Sequence, residues 1–196
     1  MPLLLSEFNM EHSLTIKSTS RYFQLGKIDL NTKAVWFVFH GYAMRADEFV
    51  NEFDCIADSS TVIIAPEGMH RFYNRGTQGG IVANWMTSDL RESDIENNIL
   101  FLNDVLADLM DKGLPLDIHI GVLGFSQGCP TAFRWVSQLK IEIGILIAWG
   151  SNLPEDVYKD SKKLQKINFS KIQLVIGSSD KYISSEKVDE LIIDLH

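Results

Sequence analysis

The sequence predicts an α/β protein with a mostly parallel sheet and helices on both faces. Apolar runs alternate with helical patterns through most of the chain, which is typical of parallel strands joined by crossover helices. Two of these runs, residues 34–39 and 61–65, are apolar almost throughout, as expected of strands covered on both faces. A third run, residues 118–123, leads into a Gly-x-Ser-x-Gly motif, and a helical pattern follows at once.

Length and composition favour a single domain over residues 1–196. The net charge is −8, from 18 basic and 26 acidic residues, so the overall field repels nucleic acid and anionic lipid. Two cysteines do not make a disulfide framework and fit a reducing compartment. The amino end does not resemble a signal peptide, and no apolar run is long enough to span a bilayer. We therefore expect a cytoplasmic protein without stable membrane insertion or a nucleic acid partner.

The first half of the chain is predicted to hold an opening hairpin and two buried strands. Residues 13–17 alternate in polarity and residues 21–25 read as a second short strand. The buried strands are residues 34–39 and 61–65, with a helix over 46–57 between them.

Residues 67–92 show no periodicity and contain several Gly and Asn residues, which predicts a long functional loop. Its aromatic residues Phe72, Tyr73 and Trp85 favour an ordered wall beside a substrate. We expect Trp85 and Met86 to line the substrate pocket, with a place in the core as the alternative.

The helix after this loop has the clearest boundary signals. Ser93 and Glu96 form a predicted capping box, and Gly113 followed by Pro115 closes the helix. Its apolar stripe consists of Ile95, Ile99, Leu102, Leu106 and Leu109. The remaining predicted elements are strands over 118–123, 143–148 and 172–176 and helices over 127–139 and 188–195.

The motif Gly124-Phe125-Ser126-Gln127-Gly128 predicts a nucleophile elbow, in which a strained turn between strand and helix exposes the serine hydroxyl. Side chains at 124 and 128 would collide with the neighbouring strand and helix. The backbone N–H of Gln127 lies near the positive end of the predicted helix, where an oxyanion would collect.

Reactive groups in open parallel sheets gather beyond the carboxyl ends of the strands. Four predicted strand ends carry suitable residues here: His40-Gly41-Tyr42, Ser126, Ser151 and Asp180. We therefore expect the functional site at this edge of the sheet.

With these residues, the chain resembles the α/β-hydrolase superfamily over about residues 34–183, specifically its small carboxylesterase, lysophospholipase and acyl-protein thioesterase branch. The serine motif is similar to that branch's Gly-Phe-Ser-Gln-Gly, and His40-Gly41 is similar to its His-Gly oxyanion turn. Asp180 falls where the family carries its acid. The family's His-Gly-x-Gly-Asp reads His40-Gly41-Tyr42-Ala43-Met44 here, so the second glycine is absent.

The resemblance implies a serine hydrolase that cleaves a small acyl ester or thioester through an acyl-enzyme. Ser126 would be the nucleophile, and Asp180 would orient a histidine. The N–H groups of Tyr42 and Gln127 would hold the oxyanion. No metal-ligand spacing or phosphate-binding loop is present, so no metal and no cofactor are implied.

The catalytic histidine is the open question. Family order places it after the acid and one further strand, whereas His196 ends a predicted helix. The other histidines are predicted to have different roles: His40 in the oxyanion turn, His119 in the core, His12 at the surface, and His70 in the long loop as a weaker candidate base. We expect that the chain as given lacks the last strand and the histidine loop.

Two alternatives to the serine hydrolase remain at this stage. One is a catalytically inactive α/β-hydrolase-fold binding protein, and a less favoured one is a lipase-like enzyme at membranes. Asp89 and Asp117 are weaker candidates for the acid, and Cys129 is predicted to be a packing residue rather than a second nucleophile. If the last strand is absent, the open edge beside residues 172–176 would invite a partner chain, so we expect such a form to aggregate or to form a homodimer.

Overall fold

The computed structural model describes residues 10–115, 117–160, 167–180 and 183. Its strands are β1 (Tyr22–Leu25), β2 (Ala34–Phe39), β3 (Thr61–Pro66), β4 (His70–Arg75), β5 (Gln78–Asn84), β6 (His119–Phe125), β7 (Ile145–Trp149) and β8 (Ile172–Val175). Its α-helices are α1 (Ala46–Phe49), α2 (Arg91–Asp111), α3 (Gly128–Val136) and α4 (Glu155–Tyr158). The predicted helix over 188–195 and His196 lie outside the described residues.

The described residues form one large sheet with the strand order β1-β3-β2-β6-β7-β8. All neighbouring strands run parallel except β1, which pairs antiparallel with β3 at one edge. The carboxyl ends of β2 and β6 lie side by side, because Phe39 is opposite Gly124. The predicted mostly parallel sheet is therefore confirmed, and it brings the ends of β2, β6, β7 and β8 to one edge.

Both faces of the sheet are covered. On one face, Phe37 and Phe39 of β2 pack in a core shared with α2 and α3. On the other face, Val38 packs with Phe49 of α1 and Ile63 of β3. Since alternate residues of a strand point to opposite faces, a strand buried in this way must be apolar throughout.

Helix α2 keeps its predicted stripe but not its predicted start. Leu102 and Leu109 are fully buried, and Gly113, with a φ of +93°, follows the end of the helix. The predicted capping box is wrong, because the helix already begins at Arg91 and its N-cap residue is Leu90, which makes no side-chain cap hydrogen bond. Ser93 lies inside the first turn.

The predicted opening hairpin is wrong. Residues 13–17 form no strand, and the side chains of Leu14 and Ile16 are exposed to 90% and 81%. The second predicted strand does form, as β1, but its partner is β3. Alternating polarity predicts a strand only where the apolar face of that strand packs against a core. The apolar side chains of this segment are exposed and pack against none.

The long predicted loop over 67–92 is also corrected, because β4 and β5 form an antiparallel hairpin within it. Most residues of β4 are exposed, so no apolar alternation marks this strand in the sequence. The predicted helix over 46–57 is shorter than expected: α1 continues only as a 3-10 turn, Val50–Phe53.

The orientation of α2, with Leu102 buried and Leu100 exposed, can be tested by substitution. Leu102→Ala should destabilise the protein by about 2–5 kcal/mol, because it removes a fully buried side chain from the core. Leu100→Ala on the same helix is the matched control and should change stability by less than about 0.5 kcal/mol, because Leu100 is 62% exposed. Urea unfolding of both variants measures the difference, and equal losses would contradict this orientation of α2.

Candidate active site

The predicted strand–turn–helix arrangement around Ser126 is confirmed. Strand β6 ends at Phe125, α3 begins at Gly128, and Ser126 between them has a φ of +50°. The Ser126 N–H donates to the carbonyl of Trp149 at 2.8 Å, which ties the turn to the end of β7. A left-handed backbone is uncommon for residues other than glycine, and such strain is concentrated at functional sites.

The two glycines of the motif allow close backbone contacts, as predicted. A Cβ on Gly124 would lie 2.5 Å from the Cα of Cys129. A Cβ on Gly128 would lie 2.4 Å from the carbonyl oxygen of Phe39. The start of α3 therefore packs directly against the end of β2, and only glycine fits at this contact.

The turn after β2 reaches the same edge. Ala43 has a φ of +55°, so it adopts the left-handed backbone at the position where the family motif carries its second glycine. Within the described part of the chain, the N–H groups of Tyr42 and Gln127 donate to no acceptor. Two backbone donors with no acceptor among the described residues therefore lie on turns that follow adjacent parallel strands, and one of them directly follows Ser126.

His40 is completely buried under the turn after β2. Its Nε2 is 2.9 Å from the N–H of Gly68, and its Nδ1 is 2.7 Å from the carbonyl oxygen of Gly41. Burial lowers the pKa of His40 from its usual value, because the charged ring would be poorly solvated. Since both ring nitrogens are engaged, His40 is not available as a general base for Ser126.

The two predicted pocket residues separate in the structure. Met86 lines the cleft beside Ser126, whereas the side chain of Trp85 is fully buried and its indole N–H donates to the carbonyl of His40 at 2.8 Å. The predicted wall role does not fit Trp85, because an indole packed among core side chains is closed to a substrate.

The sequence analysis missed the role of the Gln127 side chain. Its Oε1 accepts from the backbone N–H of Trp85 at 3.1 Å, and its Nε2 donates to the carbonyl of Met86 at 3.0 Å. The amide thus clamps the segment after β5 onto the serine turn. The only signal for this role was that glutamine, unlike a shorter polar residue, can offer a donor and an acceptor at this reach.

A cleft of about 640 Å³ opens beside Ser126. Its lining includes Met86, Pro130, Arg134, Ser151, Leu153 and Ile183. The guanidinium of Arg134 is 5% exposed and donates to both carboxylate oxygens of Asp156, at 2.9 and 2.7 Å. This contact holds the pKa of Asp156 below its usual value.

Asp180 follows β8 at the same edge of the sheet as Ser126. Its N–H donates to the carbonyl of Gly177 at 3.0 Å, and one of its carboxylate oxygens accepts from the N–H of Ile183 at 3.1 Å. Ile183 and Ser126 line the same cleft. Asp117, the alternative acid, precedes β6 and so lies at the opposite edge.

None of the other described histidines contacts Ser126. The predicted core position of His119 is wrong, because it is exposed as the first residue of β6, at the far end from the serine. His12 is exposed, as predicted. The Nε2 of His70 lies 3.0 Å from a carboxylate oxygen of Asp94, which binds it to the start of α2.

Cys129 is a packing residue, as predicted. It is 2% exposed, and its thiol donates to the carbonyl of Gly124 at 2.8 Å. Burial raises the pKa of the Cys129 thiol to about 12, so the thiolate that nucleophilic attack needs is scarce at neutral pH.

Two further observations concern metal binding and membrane-spanning helices among the described residues. No group of three or more His, Cys, Asp or Glu side chains among them is arranged to hold a metal ion. No described helix is both long and apolar enough to cross a membrane.

Comparison with known proteins finds similarity in structure rather than in sequence. No protein-family model matches the chain, and no curated protein matches it. An esterase called PE8 is 20% identical with a TM-score of 0.66, covering 91% of this chain and 84% of its own. A phospholipase/carboxylesterase from Dyadobacter fermentans is 16% identical with a TM-score of 0.56, and the match covers 90% of this chain and 96% of the Dyadobacter protein. Acyl-protein thioesterase 2 from Zea mays is 17% identical with a TM-score of 0.56, and the match covers 91% of this chain and 100% of the thioesterase.

The contact between Gly128 and Phe39 can be tested by substitution. Gly128→Ala should destabilise the protein by about 1–3 kcal/mol, because its methyl group would overlap two backbone carbonyls. Gly144→Ala is the matched control, since its Cβ would meet its nearest neighbour at an ordinary 3.5 Å. Urea unfolding should separate the two variants, and a Gly128→Ala protein as stable as the control would argue against this packing.

Proposed function

The chain has the α/β-hydrolase fold, and we propose that it is a serine hydrolase that cleaves carboxylic esters or thioesters through an acyl-enzyme. The observation that carries the proposal is the left-handed backbone of Ser126 between β6 and α3, next to a cleft. The similar structures, which include an esterase, a phospholipase/carboxylesterase and an acyl-protein thioesterase, support the same class of reaction.

In this proposal the Oγ of Ser126 attacks the carbonyl carbon while its proton passes to a general base. The N–H groups of Tyr42 and Gln127 stabilise the resulting oxyanion, and each such donor typically lowers the barrier by about 3 kcal/mol. The C–O or C–S bond then breaks, and the base returns the proton to the leaving alcohol or thiol. Water attacks the acyl-enzyme in the same manner and regenerates the serine.

Asp180 is the proposed acid that orients the base and stabilises its charged form. It lies beyond β8, and its neighbour Ile183 lines the cleft that also contains Ser126. The base in this proposal is a histidine outside the described residues, because the rings of His40 and His70 are engaged elsewhere and His119 lies at the opposite end of β6. His196 also lies outside the described residues, but its place at the end of a predicted helix does not match the family order.

The substrate of this proposal is a small acyl ester or thioester, and the place of action is the cytoplasm. The cleft volume lies in the range usual for sites that take small molecules. The unpaired cysteines Cys55 and Cys129 support this compartment, because reduced thiols are usual there. A homodimer through β8 is part of the proposal, because β8 forms an edge of the sheet made by the described residues.

A binding protein of the same fold without turnover is the second candidate. The observation in its favour is that, among the described residues, no histidine contacts the hydroxyl of Ser126. A serine without a base keeps little nucleophilic activation, but the cleft would remain able to bind an acyl compound.

Ser126→Ala tests the nucleophile. We expect wild-type protein to form a covalent adduct with a fluorophosphonate probe and Ser126→Ala to form none, since the reacting oxygen is gone. Ser93→Ala, which removes an exposed hydroxyl on α2, is the control and should react like wild type. Intact-protein mass spectrometry detects the adduct, and labelling of Ser126→Ala at the wild-type rate would end the hydrolase proposal.

Turnover of p-nitrophenyl acetate separates the two candidates. The hydrolase proposal expects steady release of p-nitrophenol that Ser126→Ala abolishes. Binding of the ester without release, equal in wild type and Ser126→Ala, would favour the binding protein.

Asp180→Asn tests the acid. The kcat for p-nitrophenyl acetate should fall by about 10⁴, because the amide no longer orients the base or stabilises its charge. Asp117→Asn, at the opposite edge of the sheet, is the matched control and should keep wild-type kcat. Steady-state kinetics checks both, and equal kcat values in the two variants would remove Asp180 from the mechanism.

A further inference from the structure

We propose that His40 is a positioning residue, whose imidazole holds the Gly41–Tyr42 peptide so that the Tyr42 N–H faces the oxyanion. This inference rests on the proposed function, because it assigns a purpose to one of the two oxyanion donors. It adds a residue that would act on the reaction without touching the substrate.

The first step is the protonation of the ring, assigned here from its hydrogen-bond partners. The Gly68 N–H can only donate, so Nε2 of His40, at 2.9 Å, must accept and carry no proton. The single proton of the neutral ring is then on Nδ1, which donates to the carbonyl oxygen of Gly41 at 2.7 Å. Complete burial of the side chain favours this neutral form.

The second step is the geometry of the peptide unit. The carbonyl of Gly41 and the N–H of Tyr42 belong to one planar trans peptide, so they point in opposite directions. Because the buried imidazole binds the carbonyl, the N–H is turned away from the interior. Tyr42 itself is 57% exposed, so the residue that carries this N–H lies at the surface of the turn.

The third step is the use of the other polar groups in the turn. The carbonyl of His40 accepts from the indole N–H of Trp85 at 2.8 Å, and the N–H of Gly41 lies 3.2 Å from the sulfur of Met44. With the Gly41 carbonyl held by the imidazole, the Tyr42 N–H is left without an acceptor in the described part of the chain. The proposed reaction needs such a donor to stabilise the oxyanion.

The partner that orients the ring is itself held firmly. Gly68 follows Glu67, whose carboxylate is only 3% exposed and accepts two hydrogen bonds from the guanidinium of Arg21, at 2.7 and 3.0 Å. The ring of His40 also stacks on Trp85 with 5.0 Å between the ring centres. The imidazole is thus fixed from three sides before any substrate arrives.

Two substitutions separate the two ring nitrogens. The amide nitrogen of His40→Asn can occupy the position of Nδ1 and still donate to Gly41, whereas the amide of His40→Gln reaches the position of Nε2 and leaves the Gly41 carbonyl unbound. We expect kcat for p-nitrophenyl acetate to fall by about a hundredfold or more in His40→Gln, the usual loss for one oxyanion donor. His40→Asn should keep at least about ten times more of the wild-type kcat than His40→Gln, with KM within about twofold of wild type in both.

A transition-state analogue gives a readout that a merely structural role would not move. The inhibition constant of a trifluoromethyl ketone, which forms an oxyanion on Ser126, should rise across the variants in proportion to the fall in kcat/KM. His119→Asn and His119→Gln, at an exposed histidine, are the matched controls and should behave like wild type. Thermal unfolding of all four variants measures any general loss of stability.

The inference is overturned if His40→Gln keeps as much kcat as His40→Asn, or if the losses appear only in KM. It is also overturned if the inhibition constants do not follow kcat/KM. Wild-type turnover by Ser126→Ala would instead refute the proposed function. Should neither variant fold, long-range proton–nitrogen spectra of the wild-type protein decide: a proton on Nδ1 of His40 at pH 7 supports the inference, and a proton on Nε2 overturns it.

Discussion

The site depends on one close contact, the backbone of α3 against the end of β2. Gly128 brings the start of α3 within a distance of the Phe39 and His40 carbonyls that no side chain would permit. This contact places the serine turn of β6 beside the turn that follows β2, and adjacent parallel strands then bring both turns to one edge of the sheet. The serine turn and the turn that carries Tyr42 reach the same edge of the sheet because the two backbones can approach in this way.

A second layer of contacts ties three strand exits together. Trp85, which follows β5, donates its indole N–H to His40 after β2, while Gln127 after β6 binds the backbone of Trp85 and Met86. The bond between Trp85 and His40 is buried and those of Gln127 are partly buried, and a buried polar group left unpaired is costly. The turns are therefore held in one arrangement before a substrate binds, which is what stabilisation of a transient oxyanion requires.

Two residues of the site have backbone angles that are strained for residues other than glycine. Ser126 and Ala43 both adopt left-handed conformations that L-residues with side chains avoid. Ala43 has this backbone at the position where the family motif carries its second glycine, a residue that adopts the left-handed conformation without steric cost. At the cleft, Arg134 and Asp156 neutralise each other through two hydrogen bonds, so this buried arginine does not leave an uncompensated charge there.

The amino-acid sequence alone predicts the alternation of strands and helices, the serine turn with its glycines, and the apolar stripe of α2. These features follow from periodicity and local sterics, which act over a few residues. Tertiary packing settles that the hairpin of β4 and β5 forms, that Trp85 is a core residue, that His40 is buried and that His119 is exposed. Those outcomes rest on contacts between distant parts of the chain, such as Trp85 with His40 across 45 positions and Gln127 with Met86 across 41, and no local pattern encodes such a partner.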